Sequence, residues 1–290
     1  VTTDPLVTVV IPTFNNRLLI ELCLRSMRCC TDSPFRVIVR DNGSTDGTVE
    51  YLESSGLVDL LLKSADNDFD NVERETYDDA IRNHVQPYFL VCHSDMIFLQ
   101  PDWIEDIQSS VGVDGANIMG GRIFSSSFSG GWIFGRWLSP WYAWGRTQAF
   151  KELNLTWRRQ RPEWCARHFP MVRAYFDEEL VARNPGVSLF WEHGGYLIAL
   201  VDQHRRRIVD RQSAGVFHIG DMTGSFVKGT HFPDALDVGR RVARAAAIEQ
   251  FIQRTVETSH ETDRDFLLAC RAVAAFALKN DFAILKQFRV

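Results

Sequence analysis

The chain has 290 residues, 45% of them hydrophobic and 24% charged, which suits a globular protein with an ample core. Its formal net charge of −5 excludes a general basic footprint for nucleic acid. No apolar run reaches the roughly 20 residues of a membrane-spanning helix. The opening residues Val1-Thr2-Thr3-Asp4-Pro5 carry no secretory leader pattern. The six cysteines, Cys23, Cys29, Cys30, Cys92, Cys165 and Cys270, form no Cys-x-x-Cys pair. Buried free thiols, a reducing compartment and hence a cytoplasmic location are the expectation.

Val7–Ile11 reads as a buried strand stopped by Pro12, and Thr13–Asn16 as a turn into a helix. Leu19, Leu22, Cys23 and Met27, at spacings of three and four, give that helix its apolar face. Phe35–Arg40 is the second strand. It runs into the polar turn Asp41-Asn42-Gly43-Ser44-Thr45-Asp46-Gly47-Thr48, and Val49–Glu53 is helical. Gly43 and Gly47 suit the unusual backbone angles of such a turn, and Asp46, Ser44 or Thr45 can cap the helix. Val58–Lys63 is the third strand, Asn71–His84 a helix, and Tyr88–Cys92 the fourth strand, ending in His93-Ser94-Asp95. Pro101-Asp102-Trp103 starts another helix, and Ile118–Phe124 is a further strand. Strands alternating with helices predict a parallel, doubly wound sheet. Right-handed crossovers then gather Pro12-Thr13-Phe14, Asp41, Asp66-Asn67 and Asp95 on one edge.

Between Trp132 and Trp164 the composition turns aromatic: Trp132, Trp137, Trp141, Tyr142, Trp144, Trp157 and Trp164. Such rings can stack on the apolar faces of sugars, or pack as an aromatic core beneath irregular loops. The basic run Arg158-Arg159-Gln160-Arg161 is either a solvated face or a contact for an anionic acceptor. Ala174–Arg183 reads as a helix carrying Asp177-Glu178-Glu179 and Tyr196–Val201 as a strand. Ala214–Gly220 is a short strand ending on His218. From Pro233 the pattern is helical, and these helices can pack on the core or join copies of the chain into a homo-oligomer.

Taken in order, Val9-Val10-Ile11-Pro12-Thr13-Phe14-Asn15, the Asp41–Thr48 turn and His93-Ser94-Asp95 resemble the family 2 glycosyltransferases of GT-A fold. The resemblance implies an α/β architecture: a GT-A-like, doubly wound, mixed but mainly parallel sheet with a C-terminal helical extension. A glycosyltransferase domain is expected over 1–228, with a nucleotide-sugar-binding half (1–105) and an acceptor-side half (106–228), and the extension over 229–290. The implied partners are a nucleotide-diphosphate sugar donor and a glycan or small-molecule acceptor, with no nucleic acid and no membrane span.

A carboxylate at a strand end, as at Asp41, can accept hydrogen bonds from a base or ribose, or simply brace its own turn. The resemblance assigns Asp41 to the base, with Pro12, Thr13 and Phe14 lining the nucleoside pocket and Asn67, Ser94 and Asp95 also on the donor side. It implies a divalent cation, Mn²⁺ or Mg²⁺, to neutralise the leaving diphosphate. Where the family carries Asp-x-Asp this chain has His93-Ser94-Asp95, so the expected ligands are Asp95, His93 and His218. Imidazole favours Mn²⁺ over Mg²⁺. For the catalytic base of an inverting transfer the expected residues are Asp177, Glu178 and Glu192. Two other readings fit parts of the pattern: a sugar-phosphate nucleotidyltransferase, against which Pro12-Thr13-Phe14-Asn15-Asn16 counts because it is no Gly-rich phosphate loop, and a nucleotide-sugar-binding protein that has lost catalysis.

Overall fold

The computed structural model describes residues 5–64, 69–85, 87–111, 116–129, 132–158, 160, 162–191, 194–211, 216–219, 250–254 and 262–279. In chain order the first half holds β1 (Val7–Thr13), α1 (Arg17–Cys30), β2 (Phe35–Asp41), α2 (Thr48–Ser54), β3 (Leu60–Lys63), α3 (Phe69–Asn83), β4 (Tyr88–Cys92), β5 (Met96–Phe98) and α4 (Trp103–Ser110). There follow β6 (Asn117–Phe124), β7 (Ser127–Ser129), β8 (Trp132–Phe134), β9 (Trp137–Arg146), α5 (Thr147–Glu152) and α6 (Pro162–Val172). A 3₁₀ turn (Arg173–Tyr175) precedes α7 (Glu178–Arg183), β10 (Ser188–Phe190), α8 (Gly195–Gln203), β11 (Arg207–Asp210), β12 (Val216–His218) and α9 (Asp263–Lys279).

The large sheet has the order β11-β6-β9-β4-β1-β2-β3. The pairs β1–β4, β2–β3 and β6–β11 are parallel, while β9 runs antiparallel to β4 and to β6. This is the mixed, mainly parallel sheet expected from the sequence. Strands β1 and β2 read as continuous β-branched runs because they are covered on both faces. Val7, Val9, Val10 and Ile11, like Val37, Ile38 and Val39, have no exposed surface. Two compact units share the chain: residues 1–10, 68–92 and 107–212 form one, and 11–67, 93–106 and 213–290 the other.

In the first unit the aromatic segment is built as strands. The ten-residue β9 puts Trp144 into the core, where its indole N–H donates to Ser110 Oγ at 2.6 Å. Trp191 is equally buried and donates to the Arg136 carbonyl at 2.7 Å. Packing therefore accounts for much of the aromatic excess, and the indole N–H groups of Trp144 and Trp191 find partners as burial favours. Trp132 stands apart, 38% exposed on β8. Gln160 of the basic run is buried and bridges Trp191, and Arg158 is exposed.

Two expected elements are corrected here. Tyr196–Val201 is not a strand but the first part of α8, whose buried residues Gly195, Leu197, Ile198 and Val201 recur at helical spacing. A short apolar run has no period of its own, and Gly194, at φ 81°, is the helix-starting residue that settles it. The helix expected over Ala174–Arg183 is broken: Phe176 is extended, and Asp177 starts α7 afresh by accepting from the N–H of Glu179 (2.9 Å) and Leu180 (3.0 Å).

In the second unit α9 packs on α1. Phe266, Cys270, Val273 and Ala274 join Leu19, Leu22, Ile97 and Phe217 in one buried cluster. Arg25 lies over the Phe266 ring, 3.8 Å from its centroid. The expected C-terminal helix is thus present and forms part of this unit's core, while the residues Val238, Val242 and Ala245 of the expected preceding helix lie outside the described residues. All six cysteines are free, five of them buried. Among the described residues no helix is long and apolar enough to cross a membrane.

Two glycines test how tightly the first unit is packed. A Cβ on Gly194 would sit 2.2 Å from the Leu138 carbonyl oxygen, whereas one on Gly186, with nearly the same φ of 84°, meets nothing within 4 Å. Gly186→Ala is expected to cost about 1 kcal/mol from backbone strain alone, and Gly194→Ala about 3 kcal/mol as the clash is added. Urea unfolding midpoints of the two variants measure the difference.

Candidate functional site

The candidate residues lie in the second unit: at the carboxyl ends of β1 and β2, in the turn that begins at His93, and on β12. Asp41 closes β2 and is 2% exposed. Its Oδ2 accepts from the N–H of Gly43 and of Ser44, both at 3.0 Å, so the carboxylate braces its own turn. Its Oδ1 is buried without a hydrogen-bond partner among the described residues. One carboxylate oxygen is thus structural, and the other carries the cost of a buried acceptor without a donor among the described residues.

The Asp41–Thr48 turn and the turn after β1 are knitted together. The Asn42 N–H and its side-chain amide both donate to the Thr13 carbonyl, at 3.0 and 3.2 Å. Ser44 Oγ accepts from the Asn15 N–H at 2.8 Å, and Asn15 Oδ1 accepts from the Thr45 N–H at 2.7 Å. Asn15 holds the left-handed conformation, φ 46°, that this reciprocal pairing requires and that Asn tolerates. Asp46 serves two helices at once. Its Oδ2 accepts from the Arg17 N–H at 3.0 Å at the start of α1, and its Oδ1 accepts from the Thr48 hydroxyl at 2.5 Å at the start of α2.

Beyond β4 the chain turns through His93-Ser94-Asp95 into β5. Asp95 is 2% exposed, and its Oδ1 stands 3.1 Å from Nε2 of His218. The antiparallel pair β5–β12 brings His218 there by setting it opposite Met96, and the Ile219 N–H donates to the Asp95 carbonyl at 3.0 Å. His93 lies alongside, its ring 5.9 Å from that of His218. One ligand atom from each of His93, Asp95 and His218 falls within 4.8 Å of the other two. Burial by itself would raise the Asp95 pKa. The charge and hydrogen bond of His218, with the charge of His93, outweigh it and hold the carboxyl below its ordinary value.

Of the residues singled out in the sequence, Pro12, Thr13, Phe14, Asp41, His93, Ser94, Asp95 and His218 all belong to this unit. Pro12 and Phe14 are partly exposed, Thr13 and Ser94 buried. Asp177 and Glu178 belong to the other unit, where Asp177 caps α7 and exposed Glu178 pairs with Arg173 at 3.0 Å. Asp66, Asn67 and Glu192 lie outside the described residues. Sequence reasoning passed over Asn15 and Asn16, whose only signal was their place in a polar turn after a strand.

The pair Asp95–His218 makes a measurable demand on stability. Because the folded pKa of Asp95 is depressed, its contribution is present above the unfolded carboxylate value near ~4 and is lost as pH falls through the folded value. In chelator, His218→Ala takes from buried Asp95 its hydrogen-bonded imidazole and is expected to lower stability by about 3 kcal/mol at neutral pH. That gap shrinks below pH ~4 as Asp95 protonates. Thermal unfolding of both proteins across pH 3–8 reads it directly.

No curated protein matches the chain. Among solved structures it is similar to the mannosyltransferase PcManGT from Pyrobaculum calidifontis in complex with GDP-Man and Mn²⁺, at 15% identity and a TM-score of 0.42 over 96% of this chain and 88% of that one. It is similar to S. aureus TarS 1-349, at 14% identity and a TM-score of 0.43 over 95% and 92%. A third likeness is to glucosyl-3-phosphoglycerate synthase from Mycobacterium tuberculosis in complex with uridine-diphosphate, at 18% identity and a TM-score of 0.32 over 43% and 46%. The model of glycosyl transferase family 2 matches residues 8–179, more than half of the chain, and the chain belongs to that family.

Proposed function

We propose that the protein transfers a sugar from a nucleoside-diphosphate donor to an acceptor hydroxyl with the help of a divalent cation, inverting the anomeric centre. The observations that support this reading are the unpartnered Asp41 Oδ1 at the end of β2 and the His93–Asp95–His218 cluster in the turn after β4, the two strands that flank β1 in the sheet. A nucleoside N–H or ribose hydroxyl would satisfy Asp41, with Thr13 and Phe14 beside it and Asn67 and Ser94 on the donor side. The cluster offers one carboxylate and two imidazoles, a mixed oxygen and nitrogen set that fits Mn²⁺ better than Mg²⁺. Such a cation supplies Lewis-acid neutralisation of the leaving diphosphate. The Asp95 carboxylate would supply the hard oxygen ligand. The imidazoles of His93 and His218 would complete the protein's share of the coordination.

The acceptor proton would go to one of Asp177, Glu178 or Glu192. Exposed Glu178 keeps a carboxylate oxygen available beside its surface pair with Arg173. The glycosyltransferase domain is proposed over 1–228 with the helical extension over 229–290, working in the cytoplasm on a glycan or small-molecule acceptor. Homo-oligomers through the C-terminal helices belong to the same proposal.

Asp95→Ala is expected to abolish Mn²⁺-dependent hydrolysis of the donor, a loss of at least ~10²-fold. Nucleotide release from UDP-, GDP- and dTDP-sugars, with and without Mn²⁺, measures it. Unchanged release by the variant would end the metal-dependent reading, and no release by the wild-type protein from any donor would favour a binding protein without catalysis. Among Asp177→Asn, Glu178→Gln and Glu192→Gln, the variant lacking the base should lose about 10²–10⁴-fold in transfer rate while donor binding is retained. Equal rates in all three would exclude these carboxylates as the base.

A further inference from the structure

Asn16 occupies the position just before α1, where an Asn side chain ordinarily caps the helix by accepting from its first N–H groups. Here it makes no cap hydrogen bond. Asp46, from the neighbouring turn, takes the Arg17 N–H instead, at 3.0 Å. The Asn16 amide is turned inward and 6% exposed. Its Oδ1 accepts from the Thr13 hydroxyl, and its Nδ2 donates to Ser94 Oγ. Thr13 is the residue whose carbonyl receives both amides of Asn42, next to Asp41. Ser94 stands between His93 and Asp95. A single buried side chain therefore joins the end of β1, to which the Asp41 turn is bonded through Asn42, to the turn carrying two of the three cluster residues.

We propose that Asn16 is a positioning residue for the metal cluster: it holds Ser94, and so the backbone that aims His93 and Asp95, in the arrangement that converges on His218. The inference rests on the cation reading above. A helix cap exchanged for a bridge is hard to explain by helix stability, because Asp46 restores the cap and leaves the bridge with no role in α1. Residues that orient ligands without touching the ion typically account for about 10–100-fold in metal affinity.

The experiment titrates Mn²⁺ alone into the nucleotide-free full chain, following free Mn²⁺ by electron paramagnetic resonance. Asn16→Ala is expected to bind Mn²⁺ roughly 10-fold more weakly than wild type. Asn16→Asp should recover most of the affinity, since a carboxylate accepts from both the Thr13 and Ser94 hydroxyls. Asp46→Ala removes the cap of the same helix without touching Ser94. It should lower the unfolding temperature and leave Mn²⁺ affinity unchanged. If Asn16→Ala does not fold, Ser94→Ala cuts the same bond from the other side and should show the same loss. Wild-type affinity in Asn16→Ala or in Ser94→Ala overturns the inference and leaves the cation reading standing. An equal loss in Asp46→Ala also overturns it, because general loosening of the loops would then be the cause. No binding of Mn²⁺ by the wild-type protein overturns the cation reading and the inference together.

Discussion

A carboxylate removed from water must be compensated, and Asp95 is the residue on which this requirement falls most heavily. Its compensation comes from His218, more than a hundred positions later in the chain. The two meet only because β12 pairs with β5, and that pairing is backed by the cluster in which Phe217 packs with Leu19, Leu22 and the α9 residues. The C-terminal helix therefore has a direct physical connection to the chemistry. It covers the strand that delivers an imidazole to a buried acid. A buried polar contact of this kind is weak evidence for stability, since apolar replacements often do as well. A second imidazole lies within reach of the pair, so three groups able to ligate a metal ion stand together.

The other half of the site is held by a different device. Among the described residues no charge pair secures Asp41. Backbone N–H groups hold one of its oxygens, and reciprocal hydrogen bonds between Asn15, Ser44 and Thr45 lock its turn to the end of β1. Irregular backbone at strand ends must find partners for its polar groups, and here the turns satisfy each other. The arrangement leaves one Asp41 oxygen without a partner among the described residues, which is a cost to the fold. Membership of glycosyl transferase family 2 gives that geometry its biochemical setting.

Much of this was legible because local chemistry and global fold agree in the first part of the chain. The β-branched runs of β1 and β2, the apolar run of β4, the Asp-Asn-Gly-Ser turn and the His-Ser-Asp triplet each carry a local signal, and the alternation of strand and helix orders them along one edge. Legibility fell where the signal was ambiguous. The Gly-Gly-Tyr run that begins α8 is apolar throughout, so no period separates helix from strand. The segment around Asp177 looks like one helix until its caps are seen. The aromatic stretch invited a binding role for rings such as Trp144, which is core and has its N–H satisfied by Ser110.

The sequence by itself determined which residue types end each strand: an acid after β2, a His-Ser-Asp after β4, a histidine at the close of β12. Those choices are local, because strand periodicity and turn chemistry act over a few residues. Which of those groups are paired was decided by tertiary structure alone. That His218 faces Asp95, that one oxygen of Asp41 is committed while the other is open, and that Asn16 bridges to Ser94 where Asp46 takes the cap all depend on segments distant in the chain. Burial, which gives each of these hydrogen bonds its weight, does not exist until the segments have packed.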